Sequence, residues 1–189
     1  YERLSLGISN GNIGVESNNS EVIWTASVND GSWHHVAFSY PGSGGIEAGS
    51  VYVDGVALTT TTSNWQGNTA LNTTNGTAYV GSLDVSSDFF NGQIDELRLW
   101  DIARSQTQIQ DNKDTELAGT ESGLVAYHKF NQGTASGTNT GVTTSPDAVS
   151  GGNDGTLSNF ALSGTTSNWV SGAAIIHVNT PPTGADDSV

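Results

Sequence analysis

The residues here with the types and spacing to do chemistry are acids, amides and tryptophans set in glycine-rich stretches. Asp147, Asn153 and Asp154 are drawn into one loop by Gly151, Gly152 and Gly155. Carboxylates and carbonyl oxygens are the donors a hard cation such as calcium takes, roughly six to eight at a time. The same spacing also suits an ordinary Asx-rich turn. Asp84 and Asp88 flank the approach to Asn91-Gly92 and form a further candidate calcium site. Trp65 follows Asn64, and Trp169 follows Asn168, each in a polar stretch. An exposed indole stacks on a sugar face and an amide hydrogen-bonds its hydroxyls, so these four are the candidate glycan contacts. A loop tryptophan can instead fold back over a sheet edge.

The chemistry of catalysis finds less support. Glycoside hydrolysis needs two carboxylates roughly 5 to 9 Å apart. Asp95 and Glu96 are adjacent, so a strand would point them to opposite faces. Asp114 and Glu116 have a two-residue spacing, but Lys113 and Leu117 beside them show no strand pattern, and a solvated acidic loop is the simpler reading. A Glu-x-Asp-x-x-Glu strand, a Gly-x-Ser-x-Gly elbow and a phosphate loop are all missing from the sequence. His34 and His35 would diverge on a strand and cannot chelate one metal there. The expectation is therefore a protein that is not an enzyme.

Composition narrows the partners. The 189 residues carry 5 Lys+Arg against 19 Asp+Glu, a formal net charge of -14. Phosphate backbones and anionic lipid surfaces both need clustered basic residues, so nucleic acid and membrane surfaces are excluded as expected partners. No apolar run approaches the ~20 residues that span a bilayer. Cysteine is absent, which removes a disulfide framework, a thiol nucleophile and a Cys zinc site. Gly, Ser, Thr and Asn make up close to half the chain. These residues disfavour long helices and supply turns, so an all-β fold leads.

The elements that must position the candidate residues follow from alternation. Leu4, Leu6 and Ile8 share one face of a strand, and Asn10-Gly11 supplies a tight turn into Ile13 and Val15. Val22 and Trp24 begin another strand. Trp33 to Tyr40 alternates on both faces, with Trp24, Trp33 and Trp100 expected in the core and His35 packed with a hydrogen bond. Asp54-Gly55 is a second hairpin signal after Val51-Tyr52-Val53. Further strands are expected at Ala78 to Gly81, Ile94 to Trp100, Leu124 to Phe130, around Thr156-Leu157 and at Ala174 to Val178. Ser105 and Gln108 have capping-box spacing, with Ile109 as an apolar contact, and predict one helix of about two turns. Thr61-Thr62-Ser63-Asn64-Trp65 recurs at Thr165-Thr166-Ser167-Asn168-Trp169, either by chance or as a short repeat. Residues 179–189, with paired prolines, read as a linker. The chain reads as excised from a longer one.

Certain of these pieces, in this order, resemble a known family. They are Gly31-Ser32-Trp33-His34-His35-Val36-Ala37, Val51-Tyr52-Val53-Asp54-Gly55, and Phe90-Asn91-Gly92-Gln93-Ile94-Asp95-Glu96-Leu97-Arg98-Leu99-Trp100. Ala103-Arg104-Ser105, Gly123 to Phe130 and Asn153 to Leu157 continue the likeness. Together they are similar to the laminin-G/pentraxin-type, concanavalin A-like domain of bacterial secreted and surface proteins. The resemblance implies a two-sheet antiparallel β-sandwich, a jelly roll, over residues 1–178, with one short connector helix. The family usually has further strands before the one that begins this chain. It implies structural calcium, with Asp95 as a ligand, and recognition of glycans or proteins. The linker resembles the entry to a cadherin-like or related repeat, so neighbouring repeats of the same polypeptide are expected partners.

The expectation is a non-catalytic carbohydrate-binding or adhesion module, calcium-stabilised, on an extracellular or cell-surface protein, with a glycan or cell-surface polysaccharide as ligand. A structural spacer or protein-interaction domain of an adhesin is the alternative. A divergent jelly-roll glycosidase or lyase comes third. One scaffold hosts all three.

Overall fold

The computed structural model describes residues 4–17, 20–64, 77–83, 88–165 and 168–172. The chain begins with β1 (Leu4–Ser9), β2 (Asn12–Ser17) and β3 (Ser20–Trp24). Asn10 and Gly11 take φ of 50° and 80°, the pair of positive values that a two-residue hairpin with right-handed twist needs. Next come β4 (Val36–Ser39), a 3-10 turn at Ile46–Ala48, β5 (Ser50–Val53) and β6 (Val56–Ala57). Asp54 and Gly55, at 52° and 79°, close the β5–β6 hairpin in the same way.

Then follow β7 (Thr60–Asn64), β8 (Leu97–Trp100), α1 (Gln106–Asn112), β9 (Leu124–His128), β10 (Thr144–Ser145) and β11 (Gly155–Thr156). The strands form antiparallel sheets ordered β1-β2-β3-β7, β4-β5-β6, β8-β9 and β10-β11. Strands in antiparallel sheets with one short helix are what the composition predicts. The described sheets are small and separate, and they do not amount to the two continuous sheets of a jelly roll.

The main core joins the first two sheets. Ile13, Val15, Val22 and Trp24 from β2 and β3 bury against Ile46 and Val51, with Val36, Phe38 and Val53 at the margin. Trp24 is 2% exposed, and its ring lies 6.2 Å from that of Phe38. β1 pairs in register with β2, so Leu6 and Ile8 lie on the same side as Val15 and Ile13. As the edge strand it leaves Leu4, Leu6 and Ile8 exposed. A second core gathers Leu117, Leu124 and Tyr127, with Trp100, Ala148 and Val149 against it.

Helix α1 forms as its cap predicts. The Ser105 hydroxyl accepts from Gln108 N, the Gln108 side chain accepts from Ser105 N, and Ile109 is buried. Several strands are shorter than alternation predicts, for local reasons. Ile94 to Trp100 yields only β8, because Glu96 sits at φ 54°, a left-handed value that breaks an extended run. The Asp95 carboxylate holds that break by accepting Glu96 N at 3.0 Å. Phe130 at φ 50° ends the β9 segment short of the predicted boundary. Residues 78–81 form no strand. Residues 33–35 also stay outside β4, and His35 N is held by the Asp54 carboxylate at 2.9 Å. Of the five-residue recurrence, Thr61 to Asn64 lie in β7, while Asn168 and Trp169 lie in a loop. The predicted strand 174–178 and the linker 179–189 fall outside the described residues.

Candidate functional site

Trp33 overturns the core expectation. It is 42% exposed, whereas Trp24 is buried and Trp100 is half-buried beneath the Arg104 guanidinium, 4.0 Å from its ring centre. The chain around Trp33 is clamped by acids. Asp30 Oδ1 accepts Ser32 N at 2.8 Å, an Asx turn that sets the loop. His34 then bridges two carboxylates: Nδ1 lies 2.8 Å from Asp54 Oδ2, and Nε2 lies 3.1 Å from Asp30 Oδ1. Asp54 Oδ1 also accepts His35 N, so the tip of the β5–β6 hairpin is tied to this loop.

The two carboxylates hold the His34 imidazole above its ordinary value, with the Asp54 hydrogen bond the larger cause. Asp30 is lowered, first by Ser32 N–H and then by His34. For Asp54, burial pushes upward, but the bonds from His34 and His35 outweigh it and the net direction is down. A histidine raised on folding stabilises fully below its unfolded value and loses that contribution as pH rises through the folded one. We therefore expect the thermal stability advantage of the wild type over His34→Gln to be largest near about pH 6 and to shrink at alkaline pH. Melting curves across pH check this. An advantage that grows with pH would contradict the clamp. His35 differs: burial, then Arg98, lowers its value, and its Nδ1 is buried without a hydrogen-bond partner, contrary to the expected bond.

The predicted calcium residues around the 147–154 turn do come together. Asp147 Oδ1 accepts Tyr127 N and Val149 N, each at 2.9 Å, and Oδ2 accepts Asn153 N at 2.9 Å. Asp154 Oδ1 accepts Asp147 N at 2.9 Å. Burial pushes Asp147 upward, the three N–H bonds and the His128 ring push it down, and the net direction is down. Three N–H groups thus take three of the roughly four acceptor sites of the Asp147 carboxylate. The turn is organised as a backbone clasp, and Asp147, Asn153 and Asp154 do not fit a calcium cage by themselves. Asp95 is half-buried, with Oδ1 on Glu96 N and Oδ2 close against Gly172. Asp88 is exposed, with φ 52°. Among the described residues, no group of three or more His, Cys, Asp or Glu side chains is placed to hold a metal ion. Asp84 lies outside the described residues.

The expected glycan contacts near the C-terminal end are committed elsewhere. Trp169 is half-buried, Nε1 donates to Phe130 O at 2.7 Å, and the indole lies over Gly133, where a Cβ would collide with it. Asn168 is half-buried too. Its Nδ2 donates to Gly137 O and Gly164 O, and its Oδ1 accepts from Asn139 Nδ2. Both residues tie together the segment 130–164. Asn64 ends β7 opposite Glu21. Trp65 lies outside the described residues.

A laminin-G-type family model, described as the concanavalin A-like lectin/glucanases superfamily, matches residues 2–110, more than half of the chain. The chain belongs to this superfamily. Searches of curated proteins and of solved structures return no match. The matched span holds both hairpins, the main core and the Asp30–His34–Asp54 clamp of this concanavalin A-like domain. The superfamily's description joins lectins with glucanases, so membership does not choose between binding and hydrolysis. Of its described acids, Glu96 is sealed by Arg98 and Tyr127, and Glu116 pairs with Lys129 at 2.7 Å. Among the described residues, no helix is long and apolar enough to cross a membrane.

Trp33 and Asp54 are the residues that sequence reasoning missed. Alternation places Trp33 inside, and Asp54-Gly55 signals only a turn. The available signal was Asp30-Gly31-Ser32 just before Trp33: an Asx turn there takes the next residues out of the strand.

Proposed function

We propose that this concanavalin A-like domain is a non-catalytic carbohydrate-binding module, of adhesion type, in a multidomain extracellular or cell-surface protein. The supporting observation is its membership of a superfamily described by lectins and glucanases, joined to a surface rich in amides and acids that carries an exposed tryptophan. Catalysis is disfavoured because Glu96 is sealed in an ion pair with Arg98 and a hydrogen bond from Tyr127. Its polypeptide neighbours would be further repeats.

The test is a glycan array probed with the purified chain, with calcium and again with chelator. Both arms are needed because the resemblance implies calcium, while the described carboxylates do not assemble its cage. Binding to a defined set of glycans is expected. Silence in both arms, from a chain shown to be folded by circular dichroism, would replace this reading with the spacer or protein-interaction one. That second reading draws its support from Trp169 and Asn168, whose polar groups serve the domain's own loop.

A further inference from the structure

We infer that the exposed apolar surface around Gly81 is a docking site for this chain's own residues 173–178, which thereby fix where the linker 179–189 leaves the domain, whatever ligand the domain takes.

Five large apolar side chains are exposed in this region. Phe89 is 62% exposed, and Tyr79, Val80, Phe90 and Ile94 lie between 39% and 47%. The backbone gathers their positions around one glycine. Phe90 N donates to Gly81 O at 2.8 Å, and Ile94 Cδ1 stands 3.8 Å from where a Cβ on Gly81 would lie. Tyr79 and Val80 are the two residues before Gly81, and Phe89 precedes Phe90. Apolar residues left exposed in such a group mark a surface that another segment or partner covers.

The path of the chain names the occupant. The last described segment, 168–172, ends beside this surface. Gly172 approaches Asp95 so closely that a Cβ there would lie 2.5 Å from Asp95 Oδ2, and Asp95 directly follows Ile94. The next residues are Ala173-Ala174-Ile175-Ile176-His177-Val178. They are the longest apolar run outside the described residues; 65–76 and 84–87 are largely polar or glycine. An extended chain covers roughly 3.3 Å per residue, so these six reach about 20 Å from Gly172. Extended, they would place Ala174, Ile176 and Val178 on one face, a wholly apolar one. Pro181-Pro182 follows shortly after and has no N–H to continue a paired strand. The docked run therefore stops where the linker starts.

The test is amide hydrogen exchange on the full chain, at a low and a high protein concentration. Wild type is compared with Phe90→Ser/Ile94→Ser and with Ile175→Ser/Ile176→Ser. In the wild type, amides of 173–178 should exchange at least about tenfold more slowly than those of 183–189, at both concentrations. Phe90→Ser/Ile94→Ser should abolish that difference while β2 and β3 stay protected, which verifies the fold. Ile175→Ser/Ile176→Ser leaves the described residues unchanged and should raise the fluorescence of added anilinonaphthalene sulfonate, which binds uncovered apolar surface. Equal exchange of 173–178 and 183–189 in the wild type would overturn the proposal. Protection that survives Phe90→Ser/Ile94→Ser would seat the segment elsewhere and overturn it too. Protection seen only at the high concentration would make the occupant a second copy of the chain. Should Phe90→Ser/Ile94→Ser fail to fold, the dye decides, and no rise with Ile175→Ser/Ile176→Ser overturns the docking.

Discussion

Replacing Arg98 with alanine is expected to cost about 3–5 kcal/mol of unfolding free energy, the typical penalty for stripping one partner from a buried ion pair. Arg98 and Glu96 have side chains only 9% and 12% exposed and meet at 2.8 Å. The guanidinium also donates to Asn112 O at 2.7 Å and Thr115 O at 2.5 Å, so it anchors the end of α1 and the chain after it to β8. Tyr127, fully buried, donates to the same Glu96 oxygen and accepts Leu117 N at 3.1 Å. Burial, reinforced by Glu96, keeps its phenol above the ordinary tyrosine range, so it stays a neutral donor. Alanine at position 98 leaves the Glu96 carboxylate facing one phenol, with two backbone carbonyls unpaired. Urea denaturation reads the loss as a shifted midpoint. A companion Glu96→Gln/Arg98→Met variant, which removes both charges, should lose much less. If Arg98→Ala alone proves as mild as that pair, the network is not holding the second core together.

Asp147→Ala is expected to cost about 2–4 kcal/mol, less than the sum of three charged hydrogen bonds because the freed N–H groups partly regain water. The Asp147 carboxylate ties Tyr127 N on β9 to Val149 N and Asn153 N across the following loop. Asp147→Asn should lose less, about 1 kcal/mol, since the amide oxygen still accepts two N–H groups while its NH2 opposes the third. The carboxylate is lowered on folding, so its contribution is present above its unfolded value and is lost as pH falls through the folded one. The gap between wild type and Asp147→Ala should therefore narrow in acid. Chelator should leave the gap between wild type and Asp147→Ala unchanged, because the partners that hold the Asp147 carboxylate are backbone N–H groups. A melting temperature that drops on chelation, and no longer does so in Asp147→Ala, would return calcium to this turn.

Much of this domain was legible in its sequence where the deciding chemistry is local. Asn10-Gly11 and Asp54-Gly55 take positive φ because of their own backbone and side-chain constraints, and both hairpins follow. Ser105 and Gln108 cap α1 across three residues. The inward faces of β2 and β3 follow from alternation, and Trp24 is buried with them. The antiparallel, strand-dominated class was readable too, since glycine, serine, threonine and asparagine favour turns over helices.

What the sequence could not decide were the partners brought together over distance. Asp54 meets His34 across 20 residues, Asp147 meets Tyr127 across 20, and Trp169 meets Phe130 across 39. An aspartate that accepts backbone N–H groups and one that binds a cation carry the same side chain, so their spacing cannot separate them. The difference lies in which groups reach the lone pairs first. The same holds for tryptophan. Trp33 leaves the expected core for the surface because a turn frees it, and Trp169 is drawn half-buried over Gly133 because a distant carbonyl captures its N–H. Interactions a few residues long set the hairpins, the cap and the strand-rich class. Which acids and indoles remain available to a ligand depends on long-range folding, because availability is what is left after distant donors and acceptors have met.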